Sequence, residues 1–428
     1  MNKPEAKTFL SRLNQTRKGI FYGWWVLVCG AIIDAVGMGI IGQSFTIFFL
    51  PLKRDLMASS AAIALLYAAL RLEGGLEGPL MGYLVDRFGS RVMIISGAII
   101  TVIGLLVISR VHSFWTFFLV YTFLVSTGFN AGFQLPVAAA VNNWFIRRRS
   151  LGFAVLNASI NVGAMVMAPI VSFIILSRDW RTAYIFVAIV ITIITIPAAL
   201  PMHRSPESRG LYPDGIPPKS KADNEAAPAN HVTTINYTPK QALKTVGFWV
   251  LVSSLTLRIL VTQALNTHFV PILVWKGVSE ATAAYFVSLL AFLSIVTVLI
   301  AGWVGDRLNK AILCSILVLP CMVGMVGLLL GQGMIAIYVY VIGMAFTAAT
   351  APLGWSLIGD LFGRQSYATL RGTITVVTGT ATFLSPIYAG WVFDRTNSYN
   401  EVLILFTAIF VLASFFFALL RKYLPAKA

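Results

Sequence analysis

Gly82-Tyr83-Leu84-Val85-Asp86-Arg87-Phe88-Gly89-Ser90-Arg91 is a short charged turn between two apolar runs, one from about residue 60 and one reaching about residue 109. Each run is long enough to cross a bilayer, which takes about 20 residues. The turn returns in reduced form as Gly302-Trp303-Val304-Gly305-Asp306-Arg307-Leu308-Asn309-Lys310, with Gly-x-x-x-Asp-Arg kept 220 residues later. Both copies sit between the second and third apolar runs of their half, so the chain reads as one unit built twice. A fainter echo supports this. Ser150-Leu151-Gly152, leading to Gly163, is matched by Ser366-Tyr367-Ala368, leading to Gly379, at an offset of 216.

Working outward, twelve apolar stretches can be counted, the first over about 22–50 and the last over about 400–421. Of the 428 residues, 58% are hydrophobic and 11% are charged, where a soluble domain carries about 25% charged residues. The mean hydropathy is +0.82. In lipid only helices and closed barrels satisfy their own backbone, and these stretches are too long for barrel strands. The expected fold is therefore all-α: twelve transmembrane helices in two pseudo-symmetric six-helix bundles. The expected division is a tail over 1–20, a first bundle over 21–200, a linker over 201–243, a second bundle over 244–422 and a tail over 423–428. The linker has six prolines between Pro201 and Pro228 alone, and reads as a connector with little persistent structure.

The net charge of +16 does not point to nucleic acid, because of where it lies. With the N-terminus placed in the cytoplasm, the inner segments hold 22 Lys and Arg and the outer loops seven. That bias orients both termini to the cytoplasm, in a multi-pass protein of the cytoplasmic (inner) membrane surrounded by lipid. Cys29, Cys314 and Cys321 lie in apolar runs and show no disulfide framework or metal spacing. The four histidines are dispersed, so an enzyme is not expected, nor any cofactor or metal. A phosphate-binding P-loop is absent from the sequence, so ATP-driven transport is not expected of this chain.

Three ionisable residues fall near the middle of a run at a rise of about 1.5 Å per residue: Asp34 in the first, Arg71 in the second and Arg258 in the seventh. Charges at such depth face protein or a wet cavity. Glu73 and Glu77 follow Arg71 one helical turn apart. These acids are the candidates for proton coupling, since apolar burial and a second carboxylate favour protonation while a nearby arginine opposes it. Asn130, Asn157 and Asn266, with Tyr67 and Trp355, are candidate substrate contacts. Arg371 lies only six or seven residues beyond Arg364, shallow enough for its side chain to snorkel to the inner surface.

With these features the chain resembles the major facilitator superfamily over essentially its whole length. The Asn143-Trp144-Phe145 block before Arg147 to Arg149, and the glycine-containing fifth run, are similar to its bacterial oxalate/formate antiporter and monocarboxylate transporter branch. The resemblance implies that Gly82, Asp86, Arg87 and Arg91, with Asp306, Arg307 and Arg371, form a gate on the inner side. Members of that branch carry an arginine in the eighth helix, which this chain lacks, so a carboxylate would be read by Arg258 first and Arg71 second. An arginine fork suits a carboxylate in two parallel bonds. The expectation is a monomeric secondary transporter of a small, monocarboxylate-like organic anion with proton symport. Exchange of organic anions, and transport of a drug or neutral solute, are the alternatives.

Overall fold

A computed structural model describes residues 21–43, 48, 51–52, 54–58, 60–216, 237–331 and 333–424; the side chains of 42–43, 60–72, 75, 168, 280–281 and 284 lie outside it. Among the described residues every regular element is helical. Twelve long helices follow one another: α1 Tyr22–Ile41, α2 Ser60–Phe88, α3 Ser90–Ile108, α4 Phe114–Trp144, α5 Arg149–Ser177, α6 Trp180–Ala199, α7 Val246–Thr267, α8 Glu280–Gly305, α9 Lys310–Leu330, α10 Met334–Phe362, α11 Tyr367–Thr396 and α12 Asn400–Tyr423. Eleven are long and apolar enough to cross a membrane. The other, α2, spans 29 residues and carries Arg71, Glu73, Glu77, Asp86 and Arg87.

The surface is apolar where a soluble protein's would be polar. Phe173 and Leu176 of α5 and Ile335 of α10 stand outward, while Asp34, Arg258 and Arg371 are buried. That inversion suits lipid, which costs apolar groups nothing and charged groups several kcal/mol.

The two halves meet where α2 packs on α11 and α5 packs on α8. Small residues permit this. A Cβ on Gly78 would lie 2.6 Å from the Gly372 carbonyl oxygen, and one on Gly372 would collide with the Gly78 carbonyl. Only glycine on both sides lets these backbones touch. Within the first half, a Cβ on Gly39 of α1 would lie 2.8 Å from the Gly163 backbone of α5.

Several helices are interrupted at depth, among them α1 and α4. α1 widens into a π-type turn over Gly37–Gln43. α4 breaks at Phe133 and Gln134, just before Pro136, which has no N–H to donate and would clash with the preceding turn. Irregular backbone at membrane depth is tolerated where it is buried in protein or lines a cavity.

The linker differs from expectation over its first part. Residues 201–216 are ordered into two short turns docked on one end of the molecule. Trp144 Nε1 donates to the His203 carbonyl at 2.9 Å, Asn143 donates to the Arg204 carbonyl at 3.1 Å, and Asp214 accepts from the backbone N–H groups of Ile146 and Arg147. These bonds satisfy exposed groups at the end of α4, and a Pro-rich composition does not reveal such partners. Residues 217–236 lie outside the described ones. The chain resumes in a short helix, Pro239–Leu243, closed by a reciprocal cap between Thr238 and Gln241.

Candidate functional site

A cavity of about 650 Å3 lies between the two halves. Its wall takes Met38 from α1, Asn130 and Gln134 from α4, Asn157 and Asn161 from α5, Gln263 and Asn266 from α7, Trp355 from α10 and Arg371 from α11. The α4 break puts Gln134 there. Four of the sequence candidates, Asn130, Asn157, Asn266 and Trp355, are thus brought together around one cavity.

Arg371 is buried, with its guanidinium 4.8 Å from the Trp355 ring centroid and hydrogen-bonded to the Tyr367 hydroxyl. It therefore does not snorkel to the surface. The reason is a counter-charge that sequence position does not disclose. Asp34 of α1, 1% exposed, feels the Arg371 charge as its electrostatic partner. One Asp34 oxygen accepts from the Gln134 backbone N–H freed by the α4 break, and Oδ1 has no hydrogen-bond partner. The signals for Arg371 were present in the chain: a buried acid needing a cation, and an aromatic face one helix away.

Arg258 is not on that wall. It lines a side cavity of about 280 Å3 between α5, α7, α8 and α10, which shares Asn157, Asn161 and Asn266 with the central one. It is 5% exposed, its Nε has no hydrogen-bond partner, and it is in none of the four ion pairs among the described residues. Tyr67 and Arg71 fall on α2, but their side chains lie outside the described ones. Glu73 and Glu77 share one hydroxyl, with Thr127 Oγ1 2.9 Å from the first and 3.0 Å from the second. A hydroxyl carries one proton, so it donates to one carboxylate at a time, and the second contact is a hydrogen bond only when that carboxyl carries a proton itself.

The end of the molecule bearing the α2–α3 turn is closed by two matching devices. Asp86 accepts from the backbone N–H groups of Ala368 and Thr369, at 3.3 and 2.9 Å, and from the Thr369 hydroxyl at 2.7 Å. Asp306 accepts from the N–H groups of Ser150 and Leu151, at 2.8 and 3.0 Å. Each acid so caps the first turn of a helix in the opposite half, where unpaired N–H groups and the helix dipole favour negative charge. Gly82 packs directly on Ala368. The neighbouring arginines do something else. Arg87 bonds the Tyr83 hydroxyl and lies by Phe88, Arg307 covers the Trp303 ring, and Arg91 lies near His203. The closed end is reinforced by Asp360 of α10, held between Arg149 of α5 and Lys310 of α9. A further ion pair joins Arg364 to Glu207 of the docked linker.

The sequence profile of the Major Facilitator Superfamily matches residues 27–386. The chain belongs to the major facilitator superfamily. It is a transporter, not an enzyme. Among its relatives, monocarboxylate transporter 12 of Xenopus laevis is 25% identical over 92% of this chain and 86% of its own length. Human monocarboxylate transporter 6 is 22% identical over 94% and 81%. YcxA of Bacillus subtilis, an uncharacterized MFS-type transporter, is 22% identical over 88% and 90%. The narrower likeness to oxalate/formate antiporters is not carried by these relatives. The structure of the transporter FucP in its outward conformation superposes with a TM-score of 0.70 at 13% identity, covering 92% of this chain and 98% of that one. The human organic anion transporter MFSD10 superposes at 0.66 with 14% identity and the same coverage. At these identities the superpositions establish the shared fold, a multi-pass membrane architecture.

Proposed function

We propose that this transporter carries a small organic anion across the cytoplasmic membrane by alternating access, coupled to proton entry. The observation that carries the reading is the Arg371 guanidinium, set among amide side chains into the wall of the cavity between the halves. A buried fork of donors in a wall that mixes amide and apolar side chains suits a carboxylate on a small carbon skeleton. A sugar would want many more hydroxyl partners. The names of the relatives, monocarboxylate transporters among them, support the same reading.

The closed end is the cytoplasmic one in this proposal, on the strength of the inner 22 against outer seven basic residues. The chain then divides into the bundles 21–200 and 244–422, which rock about the cavity. Asp34, within reach of the Arg371 field, is the acid that takes the proton. A substrate carboxylate at Arg371 weakens the hold of that arginine on the Asp34 charge, so anion and proton load together.

The test is uptake of labelled small organic acids into liposomes holding the purified protein, with and without an inward proton gradient. Uptake of an acid that rises with the gradient supports the reading. Uptake of neutral or cationic solutes alone would overturn it. Acid uptake that ignores the gradient and needs acid on the far side would replace symport by exchange.

A further inference from the structure

We propose that the side cavity at Arg258 is a second anion subsite, and that the preferred substrates are small acids with two anionic groups. This rests on the organic-anion reading, with Arg371 taking the first group.

Arg371 already faces Asp34. Arg258 faces no acid among the described residues. The cavity it lines also takes Asn157 and Asn161 from α5 and Ser294 from α8, while Met344, Ala348 and Ala351 of α10 complete the wall. The ionisable group that acts on it is the Cys314 thiol of α9. A guanidinium 5% exposed and without a counter-charge is costly in an apolar interior. Structural arginines avoid that cost with a carboxylate of their own, as Arg149 does with Asp360. Arg258 instead lines an open space of about 280 Å3, large enough for a carboxylate.

That space adjoins the central cavity. Its wall and the central cavity's share Asn157, Asn161 and Asn266. A ligand with one carboxylate at Arg371 and a short carbon chain past these amides delivers its second carboxylate to Arg258. Leu290, Val298 and Met344 give the side cavity an apolar flank for that chain. A monoacid reaches one arginine and leaves the other uncompensated, so the two-headed ligand gains the additional charge-assisted bond.

The experiment compares matched straight-chain monoacids and diacids of three to six carbons, butyrate and succinate among them, by thermal shift and competition on the purified full-length protein. The diacid of the best length should bind roughly 10–100 times more tightly than its monoacid, the range of one charge-assisted contact. Arg258→Gln should remove that advantage and leave the monoacid unchanged, whereas Arg371→Gln should weaken both. Should Arg258→Gln fold poorly, Ser294→Asp gives the arginine a resident carboxylate and should also abolish the diacid advantage. Monoacids binding as well as diacids, or a diacid advantage that survives either variant, would overturn the subsite alone. Absence of binding by every acid in the series would overturn the organic-anion reading and the subsite with it.

Discussion

Thr369 offers Asp86 both its backbone N–H, at 2.9 Å, and its hydroxyl, at 2.7 Å, from the other half of the chain. One carboxylate thereby caps the first turn of α11 and ties it to the end of α2. Asp86→Asn keeps the shape and an acceptor but removes the charge. Charge-assisted bonds of this kind contribute about 1.5–3 kcal/mol, so transport should fall roughly 10–100-fold. Substrate affinity should change by less than about threefold, since the loss concerns the closed end and not the cavity. Uptake and equilibrium binding measured on the same preparation check this, and equal losses in both would remove the gating role.

The Gly78–Gly372 contact gives a second prediction. Gly372→Ala places a methyl group into the Gly78 carbonyl, backbone against backbone, with no side chain able to yield. Overpacking costs about 1–3 kcal/mol, and here it falls on the state in which α2 and α11 touch. A paramagnetic label on each of α2 and α11 should report longer distances in the variant. Unchanged distances would mean that the helices slip past one another at little cost.

Asp360 sits between Arg149 and Lys310, at 2.5 and 2.7 Å, with both basic side chains almost fully buried. Removing it takes the shared carboxylate from two buried cations and leaves Lys310 only the charge of Asp306. Asp360→Ala should destabilise the protein by about 3–5 kcal/mol, read as a lower thermal midpoint in detergent. Arg149→Ala should cost less, because Lys310 still pairs the acid. A neutral Asp360→Ala would contradict the triad.

The linker's grip carries a pH dependence. Burial pushes the Glu207 carboxyl up, but hydrogen bonds from Arg364 and Ser205 and the Arg364 charge outweigh it and hold it below the usual glutamate range. A depressed acid stabilises the folded state above its unfolded value and loses that contribution as pH falls through the folded one. The pair is half-exposed, so it is worth only about 0.2–1 kcal/mol. Thermal midpoints of the native protein and of Glu207→Gln should differ at neutral pH and converge below about pH 4, the ordinary glutamate value. Curves that stay parallel into acid would remove Glu207 from the closed end's stability.

How much the chain discloses depends on the length scale of each signal. Twelve apolar runs and two Gly-x-x-x-Asp-Arg turns are periodic over many residues, and the membrane leaves few folds that can satisfy them. Partnership between single side chains is not periodic. Depth along a helix can be read for Asp34 and Arg258, but the rotation of α7 that turns Arg258 into a side cavity cannot. Arg371 lies near an inner end by position and is nevertheless drawn inward, because Asp34 and Trp355 from two other helices meet it there. The docked stretch over 201–216 is hidden for a related reason. Its order is supplied by Asn143, Trp144 and Arg364, not by its own composition.

Asp34 is the residue proposed to tie the anion to the proton. Asp34→Asn should reduce gradient-driven uptake at least about tenfold while acid-for-acid exchange changes little, tenfold being 1.36 kcal/mol of barrier. Counterflow and pH-driven uptake in the same liposomes separate the two. A parallel loss of both would make Asp34 a structural partner of Arg371.

The proposed transport of an organic anion depends on Arg371 reading a carboxylate in the central cavity. The decisive quantity is the affinity of the purified protein for the best-bound acid against that acid's uncharged amide, in the native protein and in Arg371→Gln. The native protein should prefer the acid by roughly 10–100-fold, and the variant should bind acid and amide alike. A preference for the acid that survives the loss of Arg371, or a native protein indifferent between acid and amide, would contradict that role.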